Sequence, residues 1–515
     1  MDAALRLRER LKLDLASLWA MVILVGLSCY ISLIPLSPND FWWHLKIGEL
    51  IHTTGRIPAA NIFAWTLPVD HPFTYGAWLG EYLFYRLYDW GQLPLILSIR
   101  TLLATLTFAL VGYETKRRSG SWRLAALAVA LAGGMALNNL IVRPQIWSWV
   151  PFMVFYTLLS RFVDGALPRR WLLLCPLLMI FWVNAHGAFI LGPVLLGMFV
   201  VGETLRCLLS LPKALAWKDI LWLGLILVLS LAATSVNPQF VGIYGYVLDL
   251  MTDRPSQGLV VEWQPPTPSG IANVVFFVSV IALLVVLAYA RRRLVPTEAL
   301  LVVGFLWLAF SGQRYVIWYG LVVMPLLVAS LATLIPKRYV EVPGPKNGWN
   351  VILAILLWIP VIAVQPWFVE SMPLPDTYWA MVWRGVDVGP LVDVETPVRA
   401  VQYLQEHPGG RLFNEMGYGS YLIWAVPDQG VFVDTRVELY PYEQWLDYIN
   451  ISRGVRYNTL LSNYGVNRIL LDLEKQDELA LALADDPLWD LEYGDPYSQI
   501  WQRTEIPVER CPSQG

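Results

Sequence analysis

The feature that most constrains this chain is a series of apolar segments, each close to the roughly 20 residues that a helix needs to cross a bilayer. About eleven such segments are predicted, at 15–36, 92–113, 121–138, 144–162, 170–185, 187–208, 218–236, 271–290, 296–312, 315–335 and 350–367. Only 15% of the 515 residues are charged, whereas soluble domains carry about a quarter. The sequence therefore predicts a polytopic α-helical membrane protein with about eleven transmembrane helices.

Basic clusters fall at alternate ends of these segments and predict an orientation. The clusters lie at 6–12, 116–118, 161 with 169–170, 206 with 213 and 218, 291–293, and 337–338 with 346. The positive-inside rule places such ends in the cytoplasm. The N-terminus is then cytoplasmic and the C-terminal region extracytoplasmic. The first apolar run has no small-x-small cleavage signal, which predicts a retained helix.

Composition and motifs exclude several function classes. The net charge is −3 and no long basic run indicates nucleic acid binding. The four cysteines show neither metal spacing nor a disulfide framework. No phosphate-binding loop, dinucleotide fingerprint or serine nucleophile elbow is present.

The sequence divides into a transmembrane domain at 1–367, a linker at 368–395 and an extracytoplasmic α/β domain at 396–515. Within the first, 37–91 forms a long outer loop with an amphipathic helix near 78–88. Thr396 and Pro397 predict a helix start. Strands are expected near 411–414, 431–434 and 466–472, and a terminal hairpin within 488–503.

One short stretch, 37–44, places Asp40 where the chain leaves the first predicted span. A carboxylate beside aromatic rings at a membrane boundary costs free energy unless water, a cation or a substrate group satisfies it. Asp40 is therefore a candidate functional residue, with Trp43 and His44 as candidates for the same site. The alternative is an ordinary interfacial aromatic belt with a solvated Asp40.

A second group of candidates, Arg143, His186 and Arg314, lies at predicted outer ends of spans. Cations at that depth usually face a polar cavity, and arginine suits bidentate phosphate recognition. Each residue alone has another interpretation: Arg143 snorkels, His186 is a packed and hydrogen-bonded histidine, and Arg314 is a belt residue. Their shared side favours one site for an anionic group.

Three further charged residues are ambiguous. Glu81 lies on the predicted loop helix, where a surface charge is favoured over its candidate role in substrate binding. Asp434 and Arg436 follow a predicted strand, where α/β sheets usually bind ligands. An internal ion pair between them is the favoured interpretation.

The chain resembles the GT-C superfamily of membrane glycosyltransferases, of the protein-mannosyltransferase and aminoarabinose-transferase kind. The shared features are an Asp after the first span (Asp40), a long first outer loop, many spans and a C-terminal outer domain. It is most similar to bacterial members of that type, through D-x-WWH at 40–44, G-R-I-P at 55–58, W-L-x-E at 78–81 and N-x-H-G at 184–187. Their outer-domain pattern lies at 419–424 and 431–436. Asn39 stands where protein-mannosyltransferases have the first acid of an Asp-Glu pair.

The resemblance implies a polyprenyl-phosphate-linked sugar donor and a glycan, lipid or protein acceptor at the outer face of a bacterial inner membrane. Asp40 would take the proton from an acceptor hydroxyl. Arg143, Arg314 and His186 would hold the growing charge of the leaving lipid phosphate. A divalent cation is a further implied cofactor without assigned ligands. Membrane lipid and subunits of a larger membrane complex are implied partners.

Two other functions stay open at this point. A non-catalytic GT-C-like scaffold subunit would use the same fold for packing and lipid binding, since fold does not determine function. A transporter predicts inverted repeats and midplane sites, which the one-sided distribution of polar residues does not favour. Glycosyl transfer is the favoured function.

Overall fold

The computed structural model describes residues 13–340, 344–385 and 389–504. The chain forms two compact units. One comprises Met1–Ile34, Gly76–Thr252 and Gln257–Met372, and the other Pro35–Tyr75, Asp253–Ser256 and Pro373–Gly515. The basic cluster at 6–12 and Cys511 lie outside the described residues.

The first unit is built from α-helices. They are Ser17–Leu33, Trp78–Ser119, Trp122–Ala136, Ile146–Val163, Leu174–Ala185, Leu191–Leu208, Trp217–Ala233, Ile243–Thr252, Ile271–Tyr289, Pro296–Ser311, Val316–Leu331, Lys337–Val340 and Trp349–Ala363. The short helix Arg254–Leu259 has residues in both units. Each segment predicted as a span overlaps a helix of this unit.

Five helical segments of the described chain are long and apolar enough to cross a membrane. They are Trp78–Ser119, Ile146–Val163, Gly187–Leu208, Ile271–Tyr289 and Gln313–Leu331. Such helices identify an integral membrane protein, since a bilayer needs about 20 apolar residues. The number of crossings, about eleven, and the orientation stay predictions.

Helix Trp78–Ser119 contains a kink that separates the predicted loop helix from the predicted second span. Gly91 and Gln92 have non-helical backbone angles, and Pro94 follows them inside the helix. Proline removes a backbone donor and clashes with the preceding turn, which breaks the helical hydrogen-bond ladder.

Ion pairs join several connections at one end of the helices in the first unit. They are Arg117–Asp164, Arg118–Glu298 and Arg169–Asp219. These arginines belong to clusters predicted to lie on one side. The pairing of strand Leu13–Asp14 with Lys346–Asn347 also agrees with the predicted alternation, because both precede helices predicted to start on that side.

Hydrogen bonds join the other set of connections. The Asn184 side chain donates to the Val236 carbonyl at 2.8 Å, and the Gln313 backbone donates to the Gln264 carbonyl at 2.9 Å. These are the connections that hold the candidate cations. Polar groups at membrane depth need such internal partners, because hydrocarbon offers none.

The second unit is an α/β unit around a four-stranded sheet. The strands lie in the order Leu412–Asn414, Arg468–Asp472, Ser498–Arg503 and Trp489–Gly494, the first pair parallel and the others antiparallel. A second sheet pairs Val382–Gly385 with Gly389–Asp393. The helices are Phe41–Thr54, Asp376–Met381, Val398–Glu406, Met416–Ala425, Tyr442–Ser452, Tyr457–Tyr464 and Asp477–Ala484. The predicted helix after Pro397, the strand within 466–472 and the terminal hairpin are present.

The beginning of the first outer loop belongs to this second unit. Leu36 pairs with Val392, and Ala64 pairs with Val431, each as a parallel bridge. The sequence-based division differs here, because it groups 37–91 with the transmembrane helices. Backbone pairing between segments so distant in sequence leaves no local pattern in the chain.

The prediction of a strand at 431–434 is wrong. Of these residues only Val431 takes part in a bridge, and the next three form no ladder. Their backbone groups bond to side chains instead: Phe432 N–H donates to Asn414 at 2.8 Å, and the Phe432 carbonyl accepts from Gln444 at 2.9 Å. Side-chain amides replace a neighbouring strand, so the short apolar run alone gave the wrong assignment.

A fully buried ion pair lies directly after that segment. Arg436 binds Asp434 through two parallel hydrogen bonds of 2.9 and 2.6 Å, and neither side chain is exposed. Tyr440 donates to the same carboxylate at 2.5 Å. The internal ion pair favoured by the sequence is therefore present.

We predict that Asp434→Ala destabilises the protein by about 3–5 kcal/mol, because it leaves the Arg436 charge buried and unpaired. The measurement is the apparent melting temperature of the purified full chain in detergent. Asp428→Ala, at an exposed carboxylate of the same unit, is the control and should change stability by less than about 0.5 kcal/mol. Equal losses in both variants would contradict the assigned role.

Candidate functional site

Asp40 lies at the start of helix Phe41–Thr54 in the second unit. Its side chain makes no capping hydrogen bond. The neighbouring Asn39 caps the helix instead, since its side-chain oxygen accepts from the Phe41 N–H at 3.0 Å. Asn39, and not Asp40, therefore caps this end of the helix.

Trp43 and His44 are each 7% exposed. The Trp43 indole donates to Thr435 at 3.1 Å and lies 5.8 Å from the Arg436 guanidinium. The His44 ring lies on the Trp43 ring, with centroids 3.5 Å apart. These contacts tie the residues after Asp40 to the chain around Asp434 and leave little of either ring for a substrate.

Glu438 is a second carboxyl group in the surroundings of Asp40. It lies half-buried on the single turn Val437–Leu439. Burial, together with the charges of Asp253 and Asp40, raises the pKa of Glu438 to about 7, although Arg436 opposes this. A carboxyl group with such a pKa exchanges its proton near neutral pH, as a general acid or base requires.

We predict that Glu438 makes the stability of the protein fall as the pH rises toward 7. Its folded pKa of about 7 exceeds the roughly 4.3 of an unfolded Glu, so the folded chain holds the proton across that interval. The free energy of unfolding then declines between about pH 4.3 and 7 and levels off above. Glu438→Gln stays neutral and removes this decline, which the pKa difference sets at up to about 4 kcal/mol and which solvent screening of the half-buried group reduces.

The measurement compares apparent melting temperatures of the parent and Glu438→Gln from pH 5 to 8. The variant should gain on the parent as the pH rises. Glu443→Gln, at an exposed position on the next helix, is the matched control and should run parallel to the parent. If Glu438→Gln also runs parallel, the raised pKa is refuted.

In the first unit, Glu81 is 1% exposed, so the favoured interpretation of a solvated surface charge is wrong. The helix that carries it lies very close to the N-x-H-G segment. A Cβ on Gly80 would lie 2.5 Å from the Ala185 carbonyl oxygen, which only glycine avoids. The Trp78 indole donates to Asn184 at 2.7 Å. The two motifs therefore fix each other's position.

Arg143 and Arg314 come together on one carboxylate of the first unit. Arg143 pairs directly with Glu262, and Arg314 lies 3.7 Å from the other oxygen of the same group. The Arg314 guanidinium also lies 4.1 Å from the Trp263 ring centroid. Burial disfavours the charged form of Glu262, but both arginines outweigh it and hold the pKa of Glu262 below its ordinary value.

These three charges add to +1, because two guanidinium groups share one carboxylate. Each arginine side chain is 23% exposed and Glu262 is 33% exposed. A partly exposed cluster with an excess positive charge suits an anionic ligand such as a phosphate group.

His186 lies between helix Leu174–Ala185 and the turn Gly187–Ile190, and its side chain is partly exposed. Its Nδ1 atom is 2.8 Å from the Ser148 hydroxyl. His186 is thus hydrogen-bonded, as one of the two interpretations of the sequence expected. This contact does not decide whether His186 also binds an anionic group.

Sequence reasoning assigned no role to Glu262 or Glu438. Glu262 lies 119 residues from Arg143, and no periodicity connects them. The sequence signal for Glu262 was its position directly before Trp263, in a predicted outer connection that is rich in charged residues. Glu438 had a weaker signal, an acid two residues after the buried Arg436.

Among the residues described, no group of three or more His, Cys, Asp or Glu side chains is placed to hold a metal ion. Cys29, Cys175 and Cys207 are free thiols. The divalent cation expected from the sequence stays a prediction, and no chemical step below passes through it.

Solved structures of archaeal oligosaccharyltransferase are similar to this chain. One is AglB from Archaeoglobus fulgidus in complex with an inhibitory peptide and a dolichol-phosphate, with 14% identity, 95% of this chain and 75% of that chain covered, and a TM-score of 0.48. The apo form of the Archaeoglobus fulgidus enzyme gives 14% identity, coverage of 96% and 75%, and a TM-score of 0.49. Its complex with Zn and sulfate gives 13%, 95% and 74%, and 0.49.

No family model and no curated protein sequence matches the chain.

Proposed function

We propose that this protein is a membrane glycosyltransferase that moves a sugar from a polyprenyl-phosphate-linked donor to an extracytoplasmic acceptor. The observation that carries the proposal is the convergence of Arg143 and Arg314 on Glu262. Two arginines with one shared carboxylate keep a positive charge for a phosphate. The buried Trp263 ring beside them lies 4.1 Å from the Arg314 guanidinium and helps to orient it.

The leaving group in such a transfer is a lipid phosphate, whose negative charge grows as the bond to the sugar breaks. Guanidinium groups that are already in place stabilise that charge without reorganisation. Arg143 and Arg314 hold the phosphate in this proposal, and His186 adds a further donor. Because Glu262 keeps both arginines extended toward one point, the pair is ordered before the lipid arrives.

The acceptor hydroxyl must lose its proton while it attacks the anomeric carbon. Asp40 takes that proton as general base, which typically contributes 10²–10⁴-fold to the rate. Glu438, with its pKa of about 7, passes the proton on to water. Trp43 and His44 contact the sugar or the acceptor through the small parts of their rings that remain accessible, whereas Glu81, at 1% exposure, is too deeply buried for the direct contact predicted from the sequence.

The proposed setting is a bacterial inner membrane, with the N-terminus in the cytoplasm and the second unit outside. The acceptor is a glycan, a lipid or a protein. The divalent cation implied by the resemblance is tested by running the same assay with a chelator and with added Mg²⁺ or Mn²⁺.

We predict that the purified chain consumes at least one member of a panel of labelled polyprenyl-phosphate sugars, and that Asp40→Asn lowers turnover by roughly 10²–10⁴-fold. The control is Asp70→Asn, an exposed carboxylate of the same loop, which should keep parental turnover. Melting temperatures verify that both variants fold. Parental turnover in folded Asp40→Asn would exclude Asp40 as the base.

A parent chain that consumes no donor but co-purifies with stable membrane partners would contradict the transferase and favour the scaffold subunit. This outcome is separable from a damaged preparation, because the folded state is measured on the same sample.

We also predict that Arg143→Ala and Arg314→Ala each weaken binding of a polyprenyl phosphate by roughly 10- to 100-fold, the value of a charge-assisted hydrogen bond. The probe is polyprenyl phosphate in detergent micelles, measured by calorimetry. Arg169→Ala breaks an ion pair at the other end of the helices and should leave affinity unchanged. Equal effects of all three variants would refute a specific phosphate site.

A further inference from the structure

The short helix Ile243–Thr252 of the first unit is apolar on two sides. One side packs against the protein through Ile243 and Val247, which are both buried. On another side Leu248 and Met251, three residues apart and therefore neighbours on the helix surface, are exposed. Apolar surface left in water costs free energy. The second side of this helix therefore needs a partner that covers it.

The turn that leads into this helix, Phe240–Gly242, extends the exposed side. Phe240 is 68% exposed and Val241 is 73% exposed. Val241 precedes Leu248 by seven residues, which is about two helical turns. We call Phe240, Val241, Leu248 and Met251 the apolar patch.

Phe240 is held in a backbone conformation that a bulky residue rarely adopts. Its φ angle is +50°, in the left-handed region that disfavours most side chains. The Asn237 side chain stabilises this turn, because its Nδ2 donates to the Phe240 carbonyl at 2.9 Å and its oxygen accepts from the Gln239 N–H at 2.7 Å. Such strain often marks a segment with a function, and here it accompanies an aromatic ring displayed on the surface.

The length and the position of this segment favour the boundary of the bilayer. The connection that contains it joins helix Trp217–Ala233 to helix Ile271–Tyr289, which is long and apolar enough to cross a membrane. The patch is therefore connected to one end of a membrane-crossing helix. Helix Ile243–Thr252 has ten residues, too few to cross the hydrocarbon core, and apolar helices of that length commonly lie in the interface.

Charge separates this segment from the basic helices that bind membranes by attraction to anionic lipids. Asp249 is the only charged residue in the sequence between 234 and 252. Without a lysine or an arginine, the segment has no charge that attracts anionic headgroups. Its contact with a membrane then depends on burial of apolar side chains, which salt screens little.

We propose that the apolar patch is an interfacial anchor, whose four side chains insert among the headgroups and the first acyl carbons of the surrounding phospholipids. The partner is the lipid surface itself, whatever the charge of its headgroups. This inference goes beyond the proposed function and does not depend on it, because insertion requires neither a sugar donor nor an acceptor. Glu262 lies in the same connection, so the anchor holds the chain on both sides of the patch at the membrane surface.

The first experiment identifies what covers the patch. The photoreactive residue p-benzoylphenylalanine replaces Phe240 or Leu248 in the full chain, which is reconstituted in nanodiscs of phosphatidylcholine and irradiated. Adducts are identified by mass spectrometry. Val278, exposed on helix Ile271–Tyr289, is the position that should give lipid adducts, and the exposed Asp428 of the second unit is the position that should not.

We expect lipid adducts at 240 and 248 in yields comparable to those at 278. The yields should be unchanged in nanodiscs that contain phosphatidylglycerol and at high salt. Lipid adducts at 278 without any at 240 and 248 overturn the proposal. Cross-links from the patch to a second copy of the chain or to another protein also overturn it, because the patch is then a protein interface.

The second experiment removes apolar side chains while the turn is preserved. Asparagine adopts positive φ angles more readily than phenylalanine, so Phe240→Asn keeps the backbone of the turn. In the double variant Phe240→Asn/Val241→Gln, the ratio of inserted to withdrawn segment should fall by at least about tenfold, since burial of each side chain contributes about one factor of ten or more.

The readout is the lipid adduct from the photoreactive residue at position 248, which should be lost in the double variant. Equal apparent melting temperatures of the double variant and the parent verify the fold. A folded double variant that keeps the parental yield of lipid adduct at 248 overturns the anchor role of the patch.

Discussion

The buried charge of Arg436 is the interaction on which the second unit depends. A guanidinium removed from water is tolerated only when its donors and its charge are satisfied. Asp434 supplies the charge, Tyr75 accepts a hydrogen bond at 3.2 Å, and the rings of Phe63 and Phe73 each lie 5.5 Å from the cation. Residues of the first loop therefore pack around this cation, against the C-terminal part of the chain. Since Trp43 also packs on it, the start of the helix that carries Asp40 is fixed by the same contact.

Each unit contains a cluster of candidate charges, and the two clusters differ in sign. In the second unit, burial together with the negative charges of Asp253 and Asp40 raises the pKa of Glu438 to about 7. Arg143 and Arg314 share a single Glu262 in the first unit, which leaves positive charge. Within the proposed function, the first kind of environment suits proton removal from an acceptor and the second suits a leaving phosphate.

The motifs that carry the family resemblance act largely through packing. Gly80 and Trp78 of one motif contact Ala185 and Asn184 of another. In the second unit, a side chain on Gly419 would strike the Val433 carbonyl, so the two outer-domain patterns also meet. Residues of a motif are thus constrained by close approach of backbones as well as by chemistry, and a shared motif is a weaker argument for shared activity than its length suggests.

The sequence by itself determined the elements that depend on local pattern. Apolar runs of bilayer length located the helices, a Thr-Pro start and a buried apolar run located elements of the α/β unit, and the Asp434–Arg436 pair followed from two charges beside a buried segment. Only the tertiary structure decided which distant residues share a site. It grouped the loop of Asp40 with the C-terminal part, replaced the strand at 431–434 by side-chain hydrogen bonds, buried Glu81, and brought Glu262 to two arginines. The physical reason is that periodicity reports which face of an element is buried, whereas partners across long sequence separations are selected by packing and by charge compensation, which no local pattern encodes.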